Sequence, residues 1–221
     1  VGVPGNWDFA YGPHITRLRY ASFSLMEGRT LRQEAGGDVM RPNFVNLAAN
    51  LSYSQPAFRA GQPVMPATLL KTVNGVKVGF VGLTSDIVAD MHERLATGFN
   101  FVTGEANTRA LIEKHADELR AQGAAVVVVL SELGLHKDYR LADVVKPGSV
   151  DVFFSGHTHE LTKQPLVGKS GARVVESGND GWLGEMTLSV ENGKVVNAAW
   201  TLHAIDESLP EDAKMKALID A

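Results

Sequence analysis

The chain has 221 residues, 44% of them hydrophobic, which suffices for one substantial core and fits one domain or two small ones. Its 25 acidic and 21 basic residues are interspersed and leave a formal charge of −4, so no basic stripe is available to neutralise a nucleic-acid polymer. Cysteine is absent, which excludes disulfides, thiolate metal sites and a cysteine nucleophile, and leaves His, Asp, Glu, Asn and water as metal ligands.

No apolar run is long enough to span a bilayer, and no signal peptide stands at the amino terminus. The opening Val1-Gly2-Val3-Pro4-Gly5 has no starting methionine and reads as the tail of a strand entering a loop, which leads us to expect residues upstream. In "PGNWDFAYG", residues 4 to 12, Gly5 permits a tight turn while Asn6 and Asp8 offer oxygen ligands. Asn6 equally suits an Asx turn, Asp8 the cap of a helix beginning near Pro13, and Trp7 either a core aromatic or a lid over a substrate.

"NFVNLAANL", ending at Leu51, is predicted as a strand leading into a polar, Pro-containing loop that reaches about Met65. Asn74-Gly75 between two alternating apolar runs predicts a hairpin. Residues 104 to 122 repeat their apolar positions at helical spacing and stop at Gly123, an amphipathic helix. "AAVVVVL", 124 to 130, is a β-branched run of the kind buried on both faces, and Glu132 follows just beyond it. "DYRLADVV" predicts a short helix ending near Pro147-Gly148. The strand Val150 to Phe154 then gives out at Ser155-Gly156 and delivers His157-Thr158-His159. Three more strands follow, with a second hairpin turn at Asn192-Gly193, and residues 209 to 220 suggest a polar helix. Alternating helices and buried strands flanked by hairpins argue for a mixed sheet covered by helices, with the chemistry on loops at strand C-termini.

In an extended segment, residues i and i+2 face the same side, so His157 and His159 could share a metal site, bind two adjacent metals, or be exposed loop histidines. Glu132 could join them or be a solvated acid. In a βαβ arrangement the loops carrying Glu132 and His157 lie at one end of the sheet. His14, His92, His115, His136 and His203 read as surface or packing residues, with His136, four positions after Glu132, the first to check.

The ordered segments "VPGNWDFAYGP", "FVNLAANLS", "VNGVKVGFVGLTS", "AAVVVVLSELGLHKDYRLADVV", "VDVFFSGHTHE" and "ESGNDGWLGEMTLSV" resemble the calcineurin-like metallophosphoesterase domain, most of all its 5′-nucleotidase branch. The resemblance covers nearly the whole chain. It implies an α/β fold, a four-layer α-β-β-α sandwich incomplete at its N-terminal end, over residues 1–208, with 209–221 as a helical linker toward a C-terminal substrate-binding domain. It also implies a small-molecule substrate (nucleotides or small phosphate monoesters), two divalent ions (Mn, Zn, Mg or Fe), and a periplasmic or extracellular location. Asn6 matches the asparagine of the family's Gly-Asn-His-Asp/Glu motif and His157 the first histidine of Gly-His-x-His, both on one ion; His159 matches the second, on the other ion. Trp7 and Asn179 fall at substrate-binding positions. In such a site the two cations orient the phosphate, acidify a bridging water and stabilise the charge of the departing ester.

The departures from the pattern matter too. Trp7 and Ala10 replace the catalytic histidine and the aspartate that orients it, and Glu132 replaces a metal-binding histidine, a change toward harder ions. The family's Asp-x-His and Gly-Asp motifs have no counterpart in the 221 residues, so the chain as given is expected to be inactive alone. A tryptophan in this loop resembles the related sulfur-oxidation thiosulfohydrolases. Three functions follow: a phosphoesterase, a thiosulfohydrolase, or a degenerate non-catalytic fold. Loss of a general acid removes roughly 10²- to 10⁴-fold in rate, which weakens the first without excluding it.

Overall fold

The computed structural model describes residues 1–221. In chain order its elements are α1 (Pro13–Tyr20), α2 (Leu31–Ala35), β1 (Leu51–Tyr53), β2 (Thr68–Val73), β3 (Val76–Leu83), α3 (Val88–Met91), β4 (Phe99–Phe101), α4 (Glu105–Ala121), β5 (Val126–Ser131), α5 (Leu135–Val144), β6 (Val152–Ser155), β7 (Leu166–Val167), β8 (Arg173–Val175), β9 (Trp182–Glu191), β10 (Lys194–Ala204) and α6 (Ala213–Ile219). Six strands form one mixed sheet in the order β2-β3-β5-β6-β8-β7, with β3, β5, β6 and β8 parallel and an antiparallel strand at each edge. The β2–β3 hairpin turns at Asn74 (φ 49°) and Gly75 (φ 81°), the left-handed pair that matches the twist of the flanking strands.

Amphipathic α4 and α5 cover one face of this sheet. Ile112, Ala116 and Leu119 from α4 and Leu141 and Ala142 from α5 pack on Val81, Val127, Val129, Phe153 and Val174, all buried. Burial of each large aliphatic or aromatic side chain is worth roughly 1.5–3 kcal/mol, so this layer fixes where the strands end. Beyond the other face lies the β9–β10 ribbon, where the Trp200 ring packs 6.2 Å from Phe154 and its Nε1 donates to the Thr162 carbonyl at 2.8 Å. The second sheet of the expected sandwich is represented by two separate pairs, β1–β4 and β9–β10. A second core, with Phe9, Tyr53, Met65, Val88 and Phe99, sits under the first loop and anchors it.

The strand expected over "NFVNLAANL" is a correction. Only Asn46 makes an isolated bridge, to Gly2, and regular pairing starts at Leu51. Successive backbone groups bond different neighbours, Leu47 to Gly2, Ala48 to Pro66 and Ala49 to Gly82, and buried Asn50 adds its side chain: Nδ2 donates to the Thr84 carbonyl at 2.8 Å and Oδ1 accepts from the Thr84 amide at 2.9 Å.

Candidate metal centre

Three loops converge at the C-terminal ends of β3, β5 and β6. The Glu132 amide donates to the Leu83 carbonyl at 2.9 Å and the Gly156 amide to the Ser131 carbonyl at 2.8 Å, so the sheet's pairing carries straight into both loops. The first loop is tied to the same edge by Thr84, whose buried hydroxyl donates to the Pro4 carbonyl at 2.6 Å. Residues 6–9 then form one turn of 3-10 helix in which Phe9 is buried against Phe99 and Phe101. Asp8 does not cap the helix at Pro13; it closes its own turn by accepting from the Gly5 amide at 2.9 Å and also accepts from the Tyr20 hydroxyl. Burial, aided by Asp8, pushes that phenol up to about 12.

The result is a cluster of donors from positions 6, 132 and 157. Asn6 Oδ1 lies 3.2 Å from His157 Nδ1, and the Glu132 carboxylate lies 4.0 Å from the same nitrogen. The Asn6 amide is oriented by its Nδ2 donating to Met91 Sδ at 3.6 Å, which turns the oxygen toward the imidazole. Burial pushes the Glu132 carboxyl above the usual range, and Asp8 and Glu176 push it further while His159 opposes them. Such a group gains from a cation beside it.

The segment carrying the histidines is not extended, contrary to what the i, i+2 spacing predicts. His157 (φ 85°) and His159 (φ 57°) both have left-handed backbones. Thr158 between them is pinned: its hydroxyl accepts from the Leu135 amide at 3.0 Å and donates to Glu176, itself buried, at 2.8 Å. His157 therefore turns inward to Asn6 and Glu132, while His159 is exposed at the loop tip. Trp7 is 73% exposed beside Asn6, Ala10 is exposed, and Asn179 is exposed in the loop after β8. His136 also points to solvent.

No group of three or more His, Asp or Glu side chains is assembled for a metal; the third donor at this centre is the Asn6 amide. Ligands about 2.1 Å from one ion in neighbouring octahedral positions lie roughly 3 Å apart; Asn6 Oδ1, 3.2 Å from His157 Nδ1, meets that spacing, and the Glu132 carboxylate, 4.0 Å from it, is wider.

Glycine makes the approach possible. A β-carbon on Gly156 would stand 2.7 Å from Glu132 Oε1, and one on Gly5 3.0 Å from Oε2, so the carboxylate is held between two bare backbones. Gly156→Ala is expected to leave folding stability in EDTA within about 1 kcal/mol, because a flexible carboxylate can swing aside, yet to weaken Mn²⁺ binding roughly tenfold or more. Calorimetric titration of both proteins checks this, and equal affinities would mean that Glu132 contributes nothing to the centre.

Sequence reasoning missed two buried acids, Glu176 behind the histidine loop and Asp138 below the site. Asp138 in α5 is fully buried, accepting from Ser131 Oγ at 2.8 Å and Ser155 Oγ at 2.6 Å, and so links the ends of β5 and β6. Burial pushes its carboxyl up to about 7 against the pull of both hydroxyls. The signal was available: Asp138 lies at i+3 from Leu135 and i−3 from Leu141, on the apolar stripe of α5.

No family model matches the chain. Cell wall protein Lmo0130 of Listeria monocytogenes is 34% identical over 206 residues, 82% of this chain and 24% of that protein. Among solved structures, the sulfate thiohydrolase SoxB of Thermus thermophilus superposes with a TM-score of 0.74 at 25% identity, covering 97% of this chain and 34% of SoxB. A 5′-nucleotidase precursor from Thermus thermophilus gives 0.70 at 21% identity, covering 98% of this chain and 41% of that one. The chain thus spans a quarter to two-fifths of the length of these proteins. With its central mixed sheet, its loops gathered at the strand ends and these likenesses along almost its whole length, the chain has the calcineurin-like metallophosphoesterase fold and is similar to 5′-nucleotidases and to SoxB.

Proposed function

We propose that the protein is a divalent-metal hydrolase of the 5′-nucleotidase type, acting on nucleotides or other small phosphate monoesters. The observation that carries this is the approach of Asn6 Oδ1 and the Glu132 carboxylate to within 4.0 Å of His157 Nδ1 at the strand ends. In this reading those three side chains hold one cation, and His159 serves a second. A bound ion supplies the positive charge that orients a phosphoryl group and stabilises its transition state. The chain's own residues do the rest: Met91 fixes the Asn6 amide, Thr158 and Glu176 hold the histidine loop, and Gly5 and Gly156 admit the Glu132 carboxylate. Exposed Trp7 offers a flat apolar surface beside Asn6 for the organic part of a substrate.

A second reading is a SoxB-like thiosulfohydrolase. Trp7, in place of an imidazole, favours it, as does the SoxB superposition at 25% identity. Assay of the full gene product with Mn²⁺ separates the two. Phosphate release from AMP supports the phosphoesterase, and Trp7→His should then raise the rate, by up to roughly 10²-fold if a general acid is restored. Hydrolysis confined to S-sulfonated thiols, with no gain in Trp7→His, would replace this proposal by the second. We place the protein outside the cytoplasm, which its likeness to a cell wall protein supports; no helix is long and apolar enough to cross a membrane. We read residues 1–208 as the domain and 209–221, with α6 exposed throughout, as a connection to a substrate-binding domain.

A further inference from the structure

A cavity of about 560 Å³ opens beside α1, lined by none of Asn6, Glu132 or His157. His14, Arg17 and Arg94 contribute cationic or protonatable groups to its wall, and no carboxylate lines it. Leu25, Pro56 and the buried ring of Phe99 make the wall partly apolar. Arg17 is held in place by Glu34, with Nη1 2.7 Å from the carboxylate, and its Nη2 lies 3.3 Å from His14 Nδ1. Glu34 is saturated from the other side by Ser24 Oγ at 2.7 Å and the Leu25 amide at 3.0 Å, so it stays behind the wall.

A second observation lies beside Arg17. The hydroxyl of Tyr53, a fully buried residue, lies against Arg17, and the buried Nε of Arg59 has no hydrogen-bond partner. Burial pushes that phenol up to about 12, with Arg17 and Arg59 near enough to oppose the shift and Glu34 near enough to add to it. Neither Tyr53 nor Arg59 lines the cavity itself; their contact with it runs through Arg17. The cavity of about 260 Å³ at the start of α4 differs in that carboxylates line it: Asp86 pairs with Lys137 and Glu105 with Arg140.

We propose that the cavity beside α1 binds a small molecule carrying a phosphate or carboxylate on an apolar body, at a site independent of metal. The guanidinium groups recognise either oxyanion through charge-assisted hydrogen bonds, and the Phe99 side of the cavity takes the apolar part.

The test is an NMR titration of the isotope-labelled chain in EDTA with phenylphosphonate, benzoate and benzyl alcohol. One of the two anions should shift the Thr97 and Gly98 amides saturably, with the tighter of the pair naming the head group. Arg94→Ala and His14→Ala, both changes at exposed side chains, should each weaken that anion about tenfold, and His157→Ala should leave it unchanged. Three results would overturn the proposal: benzyl alcohol binding as tightly as the anions, no saturation by either anion up to about 10 mM, or anion binding lost in His157→Ala but kept in Arg94→Ala.

Discussion

His157→Ala is expected to lower the affinity of the protein for Mn²⁺ at least about a hundredfold, since loss of even an outer partner of a ligand typically costs 10- to 100-fold. The imidazole is the member near both others, 3.2 Å from Asn6 Oδ1 and 4.0 Å from Glu132, so its removal takes away the central one of the three candidate ligands. Stability without metal should change little. His157 is partly exposed, its backbone is already left-handed, and the loop is held independently by Thr158. Calorimetry with Mn²⁺, paired with denaturant melts in EDTA, reads both quantities. A variant that folds normally and binds Mn²⁺ as the parent does would remove His157 from the centre.

The second large effect concerns stability and pH. Asp138 holds its proton up to about 7 in the fold, whereas an unfolded chain releases it near the ordinary value of 3.8. The folded state therefore binds more protons between those limits, and its stability falls as pH rises through that window, by up to about 1.4 kcal/mol per unit. Below the lower limit the contribution is fully present, and above the upper limit the slope vanishes. Asp138→Asn preserves the shape and can still bond both serine hydroxyls without a titrating proton, so this part of the slope should disappear. Asp138→Ala instead strands the Ser131 and Ser155 hydroxyls over a cavity and is expected to cost about 3 kcal/mol at pH 5. Urea melts across the range decide the matter; an Asn variant with the parent's slope would show that the proton resides elsewhere.

Much of this architecture is legible in the residues because local chemistry and tertiary role agree. Asn74-Gly75 is a hairpin turn in any context, the Val126–Val129 run has no face to give to water, and the stripe of α4 matches the sheet it covers. The ends of β5 and β6 follow from that layering, and with them the meeting of Glu132 and His157. Segments whose structure depends on distant side chains were not legible. "NFVNLAANL" looks like a strand, but its successive amides bond Gly2, Pro66 and Gly82 in turn, so no single partner strand runs beside it. The histidine loop looks extended, but Thr158 is tied to Leu135 and Glu176, and this bends the backbone so that only His157 faces inward. Asp138 went unseen because an acid in a short helix reads as solvated until its position on the apolar stripe is counted.

Crystals soaked in Mn²⁺ and measured for anomalous scattering bear most directly on whether Asn6, Glu132 and His157 grip one ion. The account predicts a peak within roughly 2.0–2.6 Å of Asn6 Oδ1, a Glu132 carboxylate oxygen and His157 Nδ1 together. A peak bound by only one of them, or manganese found only at other acidic positions, would contradict it.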